Sequence, residues 1–238
     1  MFPEKVIGKK FGFRFLNKLK GVYRYIRPEH EKTSEEIRQN FTEDFSKQIE
    51  ETKEKYKEHE NDEVPLRVFF EDEHRMGLLP ITRKQWCFPG QGRRIVNPIY
   101  KWVWSYGYVE PTTGKTVFHL FSHLNADCFQ VSINTFCKDQ KVSKKEPVLL
   151  VLDQSRAHTS QKIVLPEGLS VLFLPPYSPE LQPAERLWPT LNECIANRCL
   201  KDVDELHEVV SKRCRWMMNQ AADFIKGLTS FKWIRQSL

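Results

Sequence analysis

The spacing of apolar and polar positions changes twice along the chain. In residues 1–28, Phe11, Phe15, Leu16 and Leu19 recur at helical spacing. Lys10, Arg14 and Lys18 form a basic stripe on another face of the same helix, and Gly21 stands where a C′ stop is expected. Residues 29–63 are polar and charge-dense. There Phe41, Phe45 and Ile49, spaced by four, predict one exposed linking helix with a narrow sticky stripe, after a break at Pro28. From Val64 onward the pattern becomes that of an α/β domain. Leu66–Phe70 reads as a buried strand ending in Glu71, Asp72 and Glu73. Trp102–Tyr108 and Thr116–Leu120 read as strands around a turn at Pro111–Gly114. Asn125 is placed to cap a helix carrying Phe129, Ile133, Phe136 and Cys137. Val148–Leu152 is a strand ending at Asp153, and Leu169–Leu174 is the next. Pro183 then opens a helix with Leu187, Trp188, Leu191 and Ile195 on one side, and a further helix runs from about Val203 to Met218. The expected organisation is a short helical segment at 1–28, a helical linker at 29–63 and an α/β domain at 64–238.

Length and composition narrow the class. With 238 residues, 40% apolar and 29% charged, the chain can bury a sizeable core. No apolar run approaches the roughly 20 residues of a membrane span, and the N-terminus lacks a signal-peptide pattern. The six cysteines form no CxxC pair, so reduced thiols and a cytoplasmic location are expected. The net charge of +6 is unevenly spread: residues 1–28 carry eight Lys/Arg and one Glu, 29–63 carry six basic and thirteen acidic residues, and 211–238 carry six basic residues and one Asp. The two basic ends are candidate DNA-facing patches or solvated helix faces.

Three acids stand out by position: Asp72, Asp153 and Glu185. A carboxylate at the end of a buried strand is costly unless something pairs with it, and a divalent cation is one such partner. Each also has a plainer reading. The cluster around Asp72 could end its strand in water, although alternation groups Asp72 with Val68 and Phe70, opposite Glu71 and Glu73. Asp153 could cap the turn before His158. Glu185 would sit at N3 of the Pro183 helix, the capping-box position. With 31 acidic residues in the chain, composition does not choose between these.

The surrounding strings do. Val151-Leu152-Asp153-Gln154-Ser155-Arg156-Ala157-His158 and the proline-rich segment from Leu174 to Trp188 resemble the Tc/mariner superfamily of DDE transposases, in its bacterial insertion-sequence branch. Phe69-Phe70-Glu71-Asp72-Glu73 resembles the first-strand motif of that family, and Trp86 with Pro89-Gly90-Gln91-Gly92 the segment after it. The resemblance is good over about residues 64–200 and loose over 8–63. It implies a ribonuclease-H-like mixed sheet flanked by helices, preceded by a helical N-terminal segment. It also implies an acidic triad of Asp72, Asp153 and Glu185 binding Mg²⁺, as two ions, with Mn²⁺ as substitute. The implied reaction is cleavage of double-stranded DNA at transposon ends and joining of the 3′ ends to target DNA at TA dinucleotides. A homodimer on DNA is implied as well.

The sequence departs from the family at Gln154 and Gln182, where Asn is usual. Asn is the better N-cap, so the helix after Gln182 is expected to start less firmly. His158 is read as a hydrogen-bonding support for Asp153, with a phosphate contact as the alternative, and Trp188 as a core anchor. Arg93 and Arg94, with Lys10, Arg14 and Lys18, are the candidate DNA contacts. Family members carry paired helix-turn-helix units ahead of the linker, and Met1 falls late in that region. Residues 1–28 therefore read as the remnant of a helix-turn-helix region, from a truncated chain or the downstream product of a split reading frame with a separately encoded helix-turn-helix subunit. The alternatives to a catalytic core are an inactive DNA-binding remnant or inhibitor of an intact transposase, a nuclease acting on RNA–DNA hybrids, and a purely structural interaction protein.

Overall fold

The computed structural model describes residues 11–21, 34–60, 63–84, 88 and 99–238. It falls into two units, one ending at Thr33 and one spanning Ser34–Leu238.

In the first unit, α1 spans Phe11–Lys18. Its end is a Schellman motif: the Gly21 N–H donates to Leu16 O at 2.8 Å and the Lys20 N–H to Asn17 O at 3.0 Å. The left-handed residue is Lys20, at φ 60°. The stop thus falls one residue before the expected glycine, and Gly21 takes the C″ place. Arg14 and Lys18 share one face of α1, four residues apart. Lys10, Trp86, Pro89, Gly90, Gln91, Gly92, Arg93 and Arg94 lie outside the described residues.

The second unit opens with α2, Glu35–Tyr56, whose Ser34 cap accepts the Ile37 N–H. Its sticky stripe is where it docks: Phe45 and Ile49 are fully buried. The Phe45 ring meets Trp233 edge-on at 4.9 Å and Phe70 at 6.1 Å.

After α2 come five strands: β1 Arg67–Gly77, β2 Trp102–Glu110, β3 Lys115–Phe121, β4 Val148–Leu152 and β5 Leu169–Phe173. They form one mixed sheet in the order β3-β2-β1-β4-β5. β1 pairs antiparallel with β2 and parallel with β4, and β4 parallel with β5. The β2–β3 turn requires Gly114. It sits at φ +75°, and a Cβ there would lie 1.9 Å from the Ala222 carbonyl oxygen.

One expectation needs correction. β1 does not end at the acidic cluster. Its pairing with β4 covers only Arg67–Phe70, but its ladder with β2 continues to Gly77. Antiparallel hydrogen bonding carries the strand through residues that apolar content alone reads as its end.

Strand alternation sorts the core into two faces. Val68, Phe70, Leu149 and Val151 pack with Phe45, Leu187, Trp188, Leu206, Val210 and Ile234. Phe69, Tyr106, Tyr108, Leu150 and Leu152 pack against α3, Ala126–Asp139, through Phe129, Ile133 and Phe136. Asn125 caps α3 as expected, accepting the Cys128 N–H at 2.8 Å. The remaining helices are α4 Leu187–Asn192, α5 Val203–Gln220, α6 Ala222–Thr229 and α7 Lys232–Ser237. The last two extend the cover beyond the elements read from the sequence. Among the described residues no helix is long and apolar enough to cross a membrane.

Candidate functional site

The register between β1 and β4 places two of the three acids. Phe70 pairs with Val151, and Asp72 and Asp153 each lie two residues beyond their member of that pair. Both therefore leave the sheet on the same face, at the end of the paired segment. Glu71 and Glu73 leave on the other. The third acid arrives from beyond β5. The Leu174 N–H bonds Leu152 O at 2.7 Å, and the chain then turns through Pro175–Pro179 into short 3₁₀ turns at Pro179–Leu181 and Pro183–Arg186. Glu185 lies on the second turn. Asp72, Asp153 and Glu185 all line one open cleft of about 410 Å³, walled by Pro175, Pro176, Tyr177 and Pro179. No Lys or Arg stands among the described residues lining it. Tyr177 holds φ 57°, a left-handed conformation uncommon for a non-glycine residue.

Each acid has its own support. Asp72 accepts the Trp188 indole N–H at 2.8 Å. Trp188 is buried and stacks on His74 at 5.0 Å. Room for its ring comes from Gly107, which pairs directly with Asp72 across the β1–β2 ladder. A Cβ on Gly107 would lie 2.5 Å from Trp188 Cη2. Trp188 is thus more than the core anchor read from the sequence, a role that pattern alone could not reveal because indole and carboxylate are 116 positions apart.

Asp153 accepts the Ser155 N–H at 2.9 Å and His158 Nδ1 at 2.8 Å. The His158 side chain is fully buried, which excludes the phosphate contact. Its Nε2 faces Glu73 Oε1 at 2.9 Å and Glu71 Oε2 at 3.3 Å. Glu71 is itself fully buried, which corrects the reading of the cluster as a strand end in water.

Gln182 also departs from expectation. Its Oε1 caps the Pro183 turn by accepting the Ala184 N–H, and its Nε2 donates to Glu71 O at 2.8 Å. The longer amide reaches both the turn and β1, so it ties the segment carrying Glu185 to the strand carrying Asp72. Pro183 opens a 3₁₀ turn leading into α4 rather than one continuous helix. Gln154 donates to Leu174 O at 2.9 Å, joining the ends of β4 and β5.

The electrostatics are set by this arrangement. Burial and the neighbouring Glu185 charge raise the Asp72 pKa to about 7, with the Trp188 N–H opposing. Burial and Asp153 raise Glu185. For Asp153 burial works upward, but the His158 contact and the Ser155 N–H outweigh it and hold the group below its usual value. Burial disfavours the His158 imidazolium, yet Glu71, Asp153 and Glu73 overcome that and push it up to about 11. Burial, then Glu73, raises Glu71 well above the ordinary range.

The family model for DDE superfamily endonucleases matches residues 67–207, more than half of the chain. The chain belongs to the DDE superfamily endonucleases. The matched span of this DDE superfamily chain contains all three acids and their supports. A curated relative, the uncharacterized protein y4pE/y4sA of Sinorhizobium fredii, is 29% identical over 106 residues, covering 44% of this chain and 77% of the relative. Among solved structures, the Mos1 mariner paired-end complex with Mn superposes with TM-score 0.63 at 15% identity, covering 96% of this chain and 70% of that one. The Mos1 strand transfer complex gives TM-score 0.60 at 15% identity, covering 95% and 69%. The fold is therefore the ribonuclease-H-like mixed sheet of the Mos1 transposase, as the motif resemblance implies.

Proposed function

We propose that this DDE superfamily chain is a transposase catalytic core that cleaves double-stranded DNA and joins the released 3′ ends to target DNA. The observation that carries this reading is the convergence of Asp72, Asp153 and Glu185, from three separate elements, on one cleft with no basic side chain among its described lining residues. Two of the three are disfavoured as free anions by burial and by neighbouring carboxylates. An all-oxygen donor set of this kind fits Mg²⁺, with Mn²⁺ as substitute. Two such ions would supply charge neutralisation and Lewis-acid activation at a phosphodiester.

The side chains of this chain do the positioning. Trp188 fixes the Asp72 carboxylate from the core side. His158 and the Ser155 N–H orient Asp153 and keep it ionised. Gln182 locks the turn that presents Glu185. With Asp72 and Asp153 held by buried partners and the turn under Glu185 tied to β1, little motion remains to be frozen when DNA arrives. A water attacks the phosphodiester phosphorus and the P–O3′ bond breaks, leaving a 3′-OH and a 5′-phosphate; that 3′-OH then attacks a target phosphodiester, whose own 3′-oxygen departs as a hydroxyl. The Mos1 structures are paired-end and strand-transfer complexes of that transposase, which supports DNA as the substrate here; a homodimer on DNA is what the motif resemblance implies. Arg14 and Lys18 on α1 present a basic face suited to the DNA backbone.

The test compares end-labelled duplex DNA with an RNA–DNA hybrid, each with Mn²⁺, for the parent chain and Glu185→Gln. The expected result is scission of the DNA duplex leaving 3′-OH ends, lost in the variant. Cleavage confined to the hybrid, or cleavage that survives Glu185→Gln, would overturn the proposal.

A further inference from the structure

On the far side of β1 from the cleft lies a second group of metal-ligating side chains. Glu71 and Glu73, two residues apart, face the α3 side of the sheet, and His158 reaches them from the turn after β4. Their side chains are 0%, 7% and 0% exposed. Among the described residues, Glu71, Glu73 and His158 are the group whose ligand atoms all lie within 4.8 Å of one another. The cleft triad does not converge that tightly.

Four atoms of this group are buried with no hydrogen-bond partner outside it: Glu71 Oε1, Glu71 Oε2, Glu73 Oε1 and His158 Nε2. Nδ1 of the same histidine is engaged by Asp153 Oδ1 at 2.8 Å. That contact keeps a proton on Nδ1, so an ion entering between Nε2 and the two glutamates takes the place of the Nε2 proton alone. A carboxylate behind an imidazole whose other nitrogen faces anionic oxygens is the usual support of a metal-bound histidine. The separations agree. Nε2 stands 2.9 and 3.3 Å from the nearest glutamate oxygens, and ligands about 2.1 Å from a common ion stand roughly 3–3.4 Å apart in octahedral or tetrahedral arrangements. The Phe129 ring, 4.4 Å from His158, walls the site from solvent.

We propose that Glu71, Glu73 and His158 form a buried structural site for one divalent transition-metal ion, Zn²⁺ or Mn²⁺, distinct from the Asp72–Asp153–Glu185 cleft. Glu71 supplies both oxygens, Glu73 one, and His158 its Nε2. The nitrogen ligand selects against Mg²⁺. Binding displaces the Nε2 proton. The ion clamps β1 to the turn after β4 and holds the histidine that orients Asp153, so the site braces the cleft without touching substrate.

The experiment uses the full, untagged chain carrying Asp72→Asn and Glu185→Gln, which strips the cleft but keeps Asp153. Mn²⁺-loaded protein is desalted, its metal content measured, and the bound ion examined by pulsed electron paramagnetic resonance for ¹⁴N coupling. The expected result is one retained ion per chain with a directly coupled nitrogen, displaceable by Zn²⁺, and at least tenfold weaker binding on adding Glu73→Gln. No retained ion, or a retained ion with oxygen ligands only, would overturn the proposal. Should Glu73→Gln fail to fold, the nitrogen coupling decides by itself. Neither readout uses DNA cleavage, so this proposal and the catalytic one stand or fall separately.

Discussion

Asp72→Asn should stabilise the metal-free protein, and the gain should depend on pH. The Asp72 carboxyl has its pKa raised to about 7 from an ordinary 3.8, because burial and the Glu185 charge both oppose ionisation. Its protonated form therefore favours the fold. That contribution is fully present below about pH 4 and is lost as the pH rises through about 7. At 1.36 kcal/mol per unit, the gap is on the order of 4 kcal/mol at pH 8. Asn is uncharged at every pH, keeps an oxygen to accept the Trp188 N–H, and differs little in volume. In chelator-treated buffer the variant's advantage should grow by roughly 2–3 kcal/mol between pH 5 and pH 8. For a chain of this size each kcal/mol moves the melting temperature by about 2–4 °C, within easy reach of calorimetry. Added Mg²⁺ should raise the melting temperature of the parent more than that of Asp72→Asn. A stability difference that does not change from pH 5 to pH 8 would refute the burial and charge argument for this carboxyl.

Three other substitutions probe the supports. Trp188→Phe removes the N–H that favours ionised Asp72, so its pKa rises further. Since a hydrogen bond to a charged group is worth about 1.5–3 kcal/mol, the acid limb of the pH profile for metal-dependent cleavage should move up by roughly one unit or more, and an unmoved limb would count against that bond. Gly107→Ala forces a methyl to within 2.5 Å of Trp188 Cη2. Overpacking of this kind costs about 1–3 kcal/mol, read as a lower urea midpoint together with altered tryptophan fluorescence. Gln182→Ala strands the buried Glu71 carbonyl and uncaps the Pro183 turn. Urea titration should show a loss of about 1–3 kcal/mol, and a loss near zero would mean that this tie carries nothing.

The parts of the fold visible in the sequence are those set by local pattern. Val148–Leu152 is a continuous apolar run because β4 is covered on both faces, and its bounds are readable to the residue. Asn125 declares α3 through cap chemistry, together with the helical spacing of Phe129, Ile133, Phe136 and Cys137. β1 reads short because its second half is held by β2, a partner that sequence pattern does not show. The triad itself is carried by motif strings, since burial rules cannot rank three acids among 31. Of the side chains that hold it, His158 is legible, five residues after Asp153 in the same string, and the others are not. Trp188 reads as core because its apolar neighbours dominate the pattern, while its one polar atom finds Asp72 only after the sheet and the proline segment have folded. A solvated strand end stays open as one reading of Glu71 and Glu73 because charge usually means exposure. The one available signal is the alternation that sets them opposite Asp72. It gives the face and not its depth, because the turn holding His158 closes over them from β4.

The most direct test of the central claim is nicking of supercoiled plasmid by the purified chain in Mg²⁺ or Mn²⁺, beside Asp153→Asn prepared identically. Asn retains the side chain's size and removes its charge. The account expects metal-dependent nicking by the parent and none above background by the variant. Full metal-dependent nicking by Asp153→Asn would contradict it.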